Sequence, residues 1–452
     1  MQRSFLGSVA VIGVVLVVAC SGGSGNSGPV VAPATTAPLS NGTPTASAPP
    51  NATPTPSARP NATPTPSSPP VAPSPLVTPT PIDARFTLAA GFYGNKIAAV
   101  PGARELAPLP NGDLLVGTGG TSIYIVPNAD ALGLTGAAHV FVTLPEGPAE
   151  SVTFAPNGSL YAATNTTIWH IPYSTGAQTA SNPVAIARVR TGSIAPNSDG
   201  DVHRSTSVAA TATTLYAGVG SSCNACVEVD PTRATVQRMG LDGSGMTTLA
   251  TRSRNPIALA INPATGSLWS GGAGQDNLPF GHPYEYFDPP TLRGASNVDY
   301  GWPQCEENHR AYNALHVNPP PNCANTVQPA IEFPAYATLI GAAFYPATQS
   351  GTHSFPSNYR GGAFVAAHGS WHCCPATAPR VFYVPMGGDT PASAVNWNDP
   401  TTQSLQFLSG LGSSSSASYI ARPTGVAVGA QGSLFIGDDQ NGAVYRIRPV
   451  GT

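Results

Sequence analysis

The sequence of 452 residues is poor in charge, because Asp, Glu, Lys and Arg together make up only 9% of it. Lysine occurs once, at Lys96, and the formal net charge is −3. A chain with so few cations and no basic patch is not expected to bind nucleic acid, which is held largely through Lys and Arg contacts to phosphates. The sequence also lacks a Cys-x-x-Cys-His motif, so it offers no attachment site for an internal haem.

The apolar run at the N terminus, residues 5–19, is too short for the roughly 20 residues that cross a bilayer. Because Arg3 precedes it and small polar residues follow it, residues 1–19 are predicted to be a signal peptide. The run ends in Val17-Val18-Ala19-Cys20, which resembles the lipobox of bacterial lipoproteins. We therefore expect an exported protein, lipid-anchored to the cell membrane through Cys20 and facing the periplasm or the exterior. An ordinary secretory signal is the alternative.

Residues 20–82 are nearly all Pro, Thr, Ser, Ala, Asn and Gly. Such a segment cannot bury enough apolar surface to offset its chain entropy, so we predict a disordered, Pro/Thr/Ser-rich linker. Residues 83–452 are then left as one domain, which is long enough for a large core.

A β-rich phrase recurs six times in residues 83–452, as a small-residue turn, an apolar strand, a Gly/Thr/Asn-rich stretch and often a second strand. The copies begin at Pro110, Pro156, Thr211, Pro263, Gly361 and Gly429. Most lie about 45 to 55 residues apart, which is typical of a four-stranded propeller blade. The wider gaps hold insertions around 276–333 and 387–418. The sequence therefore predicts an all-β, six-bladed β-propeller.

Six cysteines remain if Cys20 is lipidated, and an even number in an oxidising compartment favours disulfides. Proximity along the chain suggests the pairs Cys223–Cys226, Cys305–Cys323 and the vicinal Cys373–Cys374. Cys223 and Cys226 could instead form half of a zinc site, although no second such pair completes it.

Polar residues beside the expected strands are the candidates for chemistry, because a propeller gathers its loops around one axis. His203 precedes a strand, and a neutral imidazole can accept a substrate proton, although it could equally hold loop carbonyls. Arg254 and Asn255 could recognise carboxylates or quinone oxygens, or Arg254 could form a surface salt bridge.

Other candidates also lie at strand ends. The Ala273–Asp276 stretch offers inward carbonyls and a carboxylate suited to calcium, although Asp276 could be a turn cap. His368 stands at a loop mouth with Trp371 three residues on, while Arg104 and Arg422 open the first and sixth blades.

Taken together, these phrases resemble the exported quinoprotein sugar dehydrogenases of the soluble glucose and L-sorbosone (pyranose) dehydrogenase type. The resemblance runs from about Phe86 to Pro449 and rests on phrases spread along the domain. They are His203-Arg204, Tyr216 to Cys226, Arg254-Asn255-Pro256, Tyr300 to Cys305, Gly361 to Trp371, Arg422 to Val428 and Ile436 to Ile447. It implies a six-bladed propeller that uses pyrroloquinoline quinone (PQQ) and calcium, a sugar or polyol substrate and an external electron acceptor.

The resemblance also implies a role for each matching residue. His203 would be the general base, while Arg254 and Asn255 would hydrogen-bond the reactive edge of the quinone. The cofactor carboxylates would be neutralised by Arg104, His368 and Arg422. The calcium site would comprise Gly274, Gln275 and Asp276, and the sugar would be flanked by Tyr300 and Trp302.

The chain departs from the family pattern at His372-Cys373-Cys374, where sorbosone-type members usually continue with Asn-Arg. The cation expected there is absent, or Arg380 replaces it. This departure keeps open a propeller that binds a sugar or a protein without turnover. A calcium-dependent lactonase-like propeller is a further alternative.

Overall fold

A computed structural model describes residues 74–196, 198, 200–278, 281–313, 315–371, 377–415 and 418–452. Its strands form six mainly antiparallel sheets of four or five strands arranged as a six-bladed β-propeller, so the predicted fold is confirmed. The first strands of all six blades line a central channel of about 340 Å3. The predicted signal peptide, Cys20 and most of the predicted linker lie outside the described residues, as does the Cys373–Cys374 pair.

The first three blades follow one another in the chain, each running from its innermost to its outermost strand. Blade 1 comprises Ala103–Pro108, Leu114–Thr118, Ser122–Val126 and His139–Thr143. Blade 2 comprises Ser151–Phe154, Leu160–Ala163, Thr167–Ile171 and Val184–Arg188. Blade 3 comprises Thr206–Ala210, Thr214–Val219, Thr235–Gly240 and Thr247–Thr251, with Val298–Asp299 added in parallel outside.

The last three blades hold the two insertions. Blade 4 comprises Ala258–Ile261, Leu268–Gly271, Glu285–Asp288 and Ile331–Phe333. Blade 5 comprises Leu339–Phe344, Ala363–Ala367, Arg380–Val384, Leu405–Ser409 and Thr87–Leu88. Blade 6 comprises Pro423–Val428, Leu434–Asp438, Ala443–Pro449, Phe92–Ala99 and Thr80–Pro81.

The ring closes where a strand from the start of the domain completes the last blade. Phe92–Ala99 pairs antiparallel with Ala443–Pro449, with Gly94 opposite Ile447. Upstream of residue 83, Thr80–Pro81 adds to the same sheet, and Leu76–Val77 pairs with Thr135–Gly136. The paired chain therefore begins before the domain boundary that the sequence suggested.

Short secondary elements lie between the blade strands. Two further hairpins are Cys305–Glu306 with Arg310–Ala311 and Met386–Gly387 with Thr390–Pro391. The helical turns are Pro290–Arg293, Ser357–Tyr359 and Pro400–Gln403. No helix within the described ranges is long and apolar enough to cross a membrane.

The core lies between neighbouring blades, where the apolar faces of successive sheets pack together. The largest cluster joins blades 5 and 6 and includes the buried rings of Tyr345, Phe355, Phe364 and Phe407. Adjacent innermost strands approach closely, so a Cβ on Gly425 would lie 2.5 Å from the Arg104 carbonyl oxygen. Glycine is therefore required where blade 6 meets blade 1.

Two of the three proposed disulfides lie within the described residues, and both are formed. They join Cys223 to Cys226 and Cys305 to Cys323. The alternative of half a zinc site at Cys223 and Cys226 is therefore wrong for this state of the chain.

Candidate active site

A cavity of about 570 Å3 opens where the loops of blades 3, 4 and 5 meet. In antiparallel blades, the start of each first strand lies beside the end of the second strand, so residues from both positions share one face. The cavity is lined by five predicted residues, namely His203, Arg254, Asn255, Gly274 and Asp276. It is also lined by Asn224, Tyr336, Thr338 and Trp371, which were given no role at the site.

His203 is held in one tautomer by Ser221. Its Nδ1 lies 2.8 Å from the Ser221 Oγ and 3.2 Å from the Ser221 carbonyl oxygen. The Ser221 hydroxyl donates its proton to the Cys223 carbonyl oxygen at 2.7 Å, so both groups facing Nδ1 act as acceptors. Nδ1 must therefore carry the proton, which leaves Nε2 as the basic nitrogen.

The protonation state of His203 is set by its surroundings. Burial, followed by the positive charge of Arg254, lowers the pKa of His203 well below its usual value, and Arg190 adds to this effect. The imidazole is therefore neutral at neutral pH, which is the state that a general base requires.

Arg254 organises the loops on the blade 4 side of the cavity. Its Nε donates to the Asn224 carbonyl oxygen at 3.1 Å, and Nη1 donates to the Gly274 carbonyl oxygen at 2.6 Å. Its Nη2 donates to Asp276 Oδ2 at 2.9 Å. The guanidinium is only 5% exposed and is fully engaged, so it fixes these loops while keeping its charge at the cavity.

The neighbouring amides differ from Arg254 because part of their hydrogen-bonding capacity is unused. Among the described residues, neither Asn255 Oδ1 nor Gln275 Oε1 has a partner, although both side chains are buried. Buried polar atoms of this kind are costly unless a ligand or water satisfies them. The side chains of Asn255 and Gln275 are therefore suited to contacts with a bound group.

The predicted calcium ligands lie together, but two of them, Gly274 and Asp276, already accept hydrogen bonds from other residues of the protein. The Gly274 carbonyl oxygen and Asp276 accept hydrogen bonds from Arg254, and Asp276 Oδ1 also accepts one from Trp371 Nε1 at 3.3 Å. The Gly274 N–H donates to Glu285 Oε2 at 2.6 Å. This loop lines both the open cavity and a second, smaller one, the enclosed cavity, whose lining glutamates are buried.

The enclosed cavity, of about 20 Å3, is lined by buried glutamates that sequence reasoning missed: Glu285, Glu306, Glu307 and Glu332. Burial raises the pKa of Glu285 and of Glu306 to about 8, and it raises the pKa of Glu332 well above its usual value. Both oxygens of Glu332 and the Oε2 of Glu306 have no partner among the described residues. These carboxylates supply the oxygen donors that hard cations prefer.

The carboxylate oxygens of these glutamates do not lie close enough together to form a preformed metal site in the described part of the chain. Among the described residues, one group of three His, Cys, Asp or Glu ligand atoms lies within 4.8 Å, and it comprises Cys223, Cys226 and Glu228. Two of these residues form a disulfide. A cation in the enclosed cavity would therefore have to draw the glutamate side chains toward itself.

Arg104 and His368 come together around a carboxylate of the protein, and Arg422 lies beside them. Arg104 Nη1 and His368 Nε2 each lie 2.9 Å from Asp439. Arg422 donates to the carbonyl oxygens of His368 and Gly369 at 3.0 and 2.8 Å. This cluster does not line the open cavity, but it adjoins the loop that carries Trp371.

The pKa values in this cluster follow from burial and pairing. Burial lowers the pKa of His368 to about 4 against the opposing effect of Asp439. Burial raises the pKa of Asp439, but His368 and Arg104 together bring it down to about 2. The Asp439 carboxylate therefore already neutralises part of the positive charge that was expected to bind the cofactor carboxylates.

Tyr300 and Trp302 do not flank the open cavity. Both are buried and line the enclosed one, where Tyr300 Oη donates to Asp288 at 2.6 Å and Trp302 Nε1 donates to the Asn224 carbonyl oxygen at 3.0 Å. Both residues belong to the insertion between the third and fourth strands of blade 4, where the Tyr300 ring stacks on the Tyr286 ring at a centroid distance of 4.6 Å. The aromatic residues at the open cavity are Tyr336 and Trp371, and Trp371 is 70% exposed.

Comparison with known proteins agrees with this architecture. The fold is similar to that of the holo form of the pyranose dehydrogenase PQQ domain from Coprinopsis cinerea, with a TM-score of 0.66 and 18% identity over 82% of this chain and 98% of that one. The fold is also similar to that of an iodide structure of a Trichoderma reesei enzyme of carbohydrate-active family AA12. The TM-score is 0.64 and the sequence identity is 18%, over 82% of this chain and 98% of that one. For the apo form of the soluble aldose sugar dehydrogenase from Escherichia coli, the TM-score is 0.53 and the sequence identity is 15%, over 79% of this chain and 99% of that one.

The sequence is also similar to one curated protein and to one family model. An uncharacterized protein of Borreliella burgdorferi is 22% identical over 244 residues, and the match spans 52% of this chain and 56% of that protein. A family model described as TrAA12-like matches residues 86–450, which cover the propeller from the Thr87–Leu88 strand to the end of blade 6. The chain is therefore a member of the TrAA12-like family.

Proposed function

We propose that this protein is a PQQ- and calcium-dependent oxidoreductase that oxidises a sugar, or an alcohol or aldehyde derived from one, and passes the electrons to an external acceptor. Family membership supports the proposal, as do similar structures whose names include a pyranose dehydrogenase PQQ domain and an aldose sugar dehydrogenase. The observation that carries it is the neutral His203, with Nδ1 protonated, beside Arg254 and Asn255 in one cavity.

The residues present fit a flat, polar cofactor. The cavity volume of about 570 Å3 is that of a small-molecule site. The buried Asn255 amide has an oxygen without a partner among the described residues, and Arg254 keeps its charge at the cavity. Arg104 and Arg422 lie outside the cavity lining and beside the loop that carries Trp371, so they would bind cofactor carboxylates only if the cofactor extended to that loop, and in competition with Asp439.

The residues around the enclosed cavity fit calcium in their chemistry. Glu285, Glu306 and Glu332 would hold the ion behind the Gly274 loop, and Gln275 Oε1 is a further oxygen donor close by in sequence. Neutralising these carboxylates would remove the cost of burying them unpaired. The fit rests on unsatisfied oxygens rather than on a preformed ligand cage.

In this proposal, each residue has a separate task. PQQ, when bound, supplies a hydride acceptor, and calcium supplies a Lewis acid. His203 takes the proton of the substrate hydroxyl at Nε2, because Nδ1 is already protonated. Arg254 holds the Asn224 and Gly274 loops in place. Tyr336 and Trp371 are placed to stack on the apolar face of a sugar ring.

The test is a titration of the purified full chain with PQQ in the presence of calcium, followed by PQQ absorbance and by dye reduction with a panel of sugars. We expect saturable PQQ binding and calcium-dependent dye reduction with at least one pyranose. Saturable binding without turnover on any sugar would favour a binding propeller instead. An absence of PQQ binding would overturn the proposal.

We further propose that the protein is exported and lipid-anchored through Cys20, and the two disulfides support an oxidising compartment. In a bacterial host, Cys20→Ser is expected to move the protein from the membrane fraction to the soluble exported fraction, because the lipid would have no attachment site. Fractionation and mass spectrometry of the mature N terminus measure this. A Cys20→Ser protein that stays in the membrane fraction would contradict the anchor.

A further inference from the structure

The Cys223–Cys226 disulfide closes a short loop at the wall of the open cavity. Cys223 and Cys226 are 1% and 6% exposed. Between them lies Asn224, whose side chain lines the cavity. The loop begins two residues after Ser221, and it contacts both the histidine side of the site, through Ser221, and the arginine side, through Arg254.

On the histidine side, the loop fixes the direction of one hydroxyl. The Cys223 carbonyl oxygen accepts the Ser221 hydroxyl proton at 2.7 Å, which leaves the Ser221 Oγ free to accept from His203 Nδ1 at 2.8 Å. The position of the Cys223 carbonyl therefore helps to set which His203 nitrogen is basic. The neighbouring Gly220 allows this approach, since a Cβ there would lie 2.8 Å from the His203 carbonyl oxygen.

On the arginine side, Asn224 is the common partner of three groups. Its carbonyl oxygen accepts from Arg254 Nε at 3.1 Å and from Trp302 Nε1 at 3.0 Å. Its Oδ1 accepts from Arg254 Nη2 and from the Asp276 N–H, both at 2.9 Å. Its Nδ2 donates to the Asp276 carbonyl oxygen at 3.1 Å. One residue thus connects the Arg254 guanidinium to the loop that carries Gly274 and Asp276.

We propose that the Cys223–Cys226 disulfide is a positioning element, which holds one loop in the shape that orients His203 and Arg254 together. Without the cross-link, the Cys223 and Asn224 carbonyls would sample several directions, because a short loop gains backbone freedom when a constraint is removed. Ser221 and Asn224 are the positioning residues through which the loop acts. The expected effect of the disulfide on turnover rests on the proposed function. Its expected effect on the His203 tautomer does not.

The first test is the double variant Cys223→Ala/Cys226→Ala in the full chain, with Asn224→Ala beside it. Since misplacement of about 1 Å can cost about 100-fold in rate, we expect kcat to fall by roughly 10- to 100-fold, with a smaller change in sugar KM. In Asn224→Ala, the half-saturating PQQ concentration should also rise, because Arg254 loses its hydrogen bond to Asn224 Oδ1 while the bond to the Asn224 carbonyl oxygen remains. A folded double variant with wild-type kcat would overturn the proposal.

The second test reads the tautomer directly and needs no turnover. In the ¹⁵N spectrum of histidine-labelled protein, wild-type His203 should show a protonated Nδ1 and an unprotonated Nε2. The double variant should shift the signals toward a mixture of tautomers, whereas Ser221→Ala keeps the Ser221 carbonyl oxygen as an acceptor for Nδ1 and should shift them less. Unchanged signals in both variants would refute the proposal, even if the wild type proves inactive with PQQ.

Asn262→Ala is the matched control. Asn262 is also a buried asparagine, 3% exposed, and it donates to Gly388 and Asp389 at the opposite end of the innermost strand of blade 4. We expect this variant to lose thermal stability while the His203 tautomer and kcat stay unchanged. If Asn262→Ala lowered kcat as much as Asn224→Ala, the loop would have only a structural role.

Discussion

His203→Gln is expected to lower kcat by about 100- to 10,000-fold while PQQ binding is retained. Glutamine approximates the size and polarity of the imidazole but cannot accept a proton at neutral pH. The measurement is dye reduction at saturating PQQ, calcium and sugar, with PQQ affinity determined separately. Because burial and Arg254 hold the pKa of His203 well below its usual value, the wild-type rate should fall only at a pH below the usual imidazole range.

The control for His203→Gln is His170→Gln. His170 lies in the third strand of blade 2, where its ring packs near Tyr161, and it does not line the open cavity. This variant should keep the wild-type kcat. Retention of more than about a tenth of the rate in His203→Gln would rule out the general-base role. Loss of PQQ binding in the same variant would instead show that His203 holds the cofactor or the loop.

Calcium is expected to stabilise the protein strongly at pH 8 and only weakly at pH 5. The folded protein raises the pKa of Glu285 and Glu306 from 4.5 to about 8, so without metal it binds more protons than the unfolded chain between these values. Stability without metal is therefore present below the unfolded pKa and is lost as pH rises through about 8. A cation compensates the deprotonated carboxylates, so we expect millimolar calcium to raise Tm by about 5–10 °C at pH 8.

Glu332→Gln tests the same site. The variant replaces a buried carboxyl group, whose two oxygens are unpartnered in the described chain, by an amide that cannot ionise, so without metal it should lose less stability than the wild type as pH rises to 8. It should also lose most of the calcium-dependent rise in Tm. Glu146→Gln is the control, because Glu146 accepts hydrogen bonds from threonines of blade 2 and lies away from both cavities. Equal calcium shifts in the wild type and Glu332→Gln would place the ion elsewhere.

The fold could be predicted because the glycine turns and apolar strands recur in each blade, and local sequence determines both. His203, Arg254 and Gly274 could be placed near one another because each lies at the end of an inner strand. The glutamates could not be found in this way. Glu285 stands between two tyrosines in an ordinary strand pattern, and sequence does not reveal which face of such a strand is covered.

Asp439 shows a second limit of sequence reasoning. Arg104, His368 and Arg422 were predicted to meet, but Asp439 follows the second strand of blade 6 and looks like a turn residue. Its pairing with Arg104 and His368 depends on the approach of blades 1, 5 and 6. The same limit applies to Tyr300 and Trp302, because an aromatic residue in a long insertion can face either a cavity or the core.

The pairing of Phe92–Ala99 with Ala443–Pro449 has a consequence for how the protein matures. The two partners are synthesised at opposite ends of the domain, so the nascent chain cannot seal the ring until its final strand has emerged. A chain that stops before residue 443 would leave Phe92–Ala99 as an unpaired edge, which is a template for aggregation. An incomplete chain would therefore be prone to misassembly, because closure of the ring depends on the Ala443–Pro449 strand.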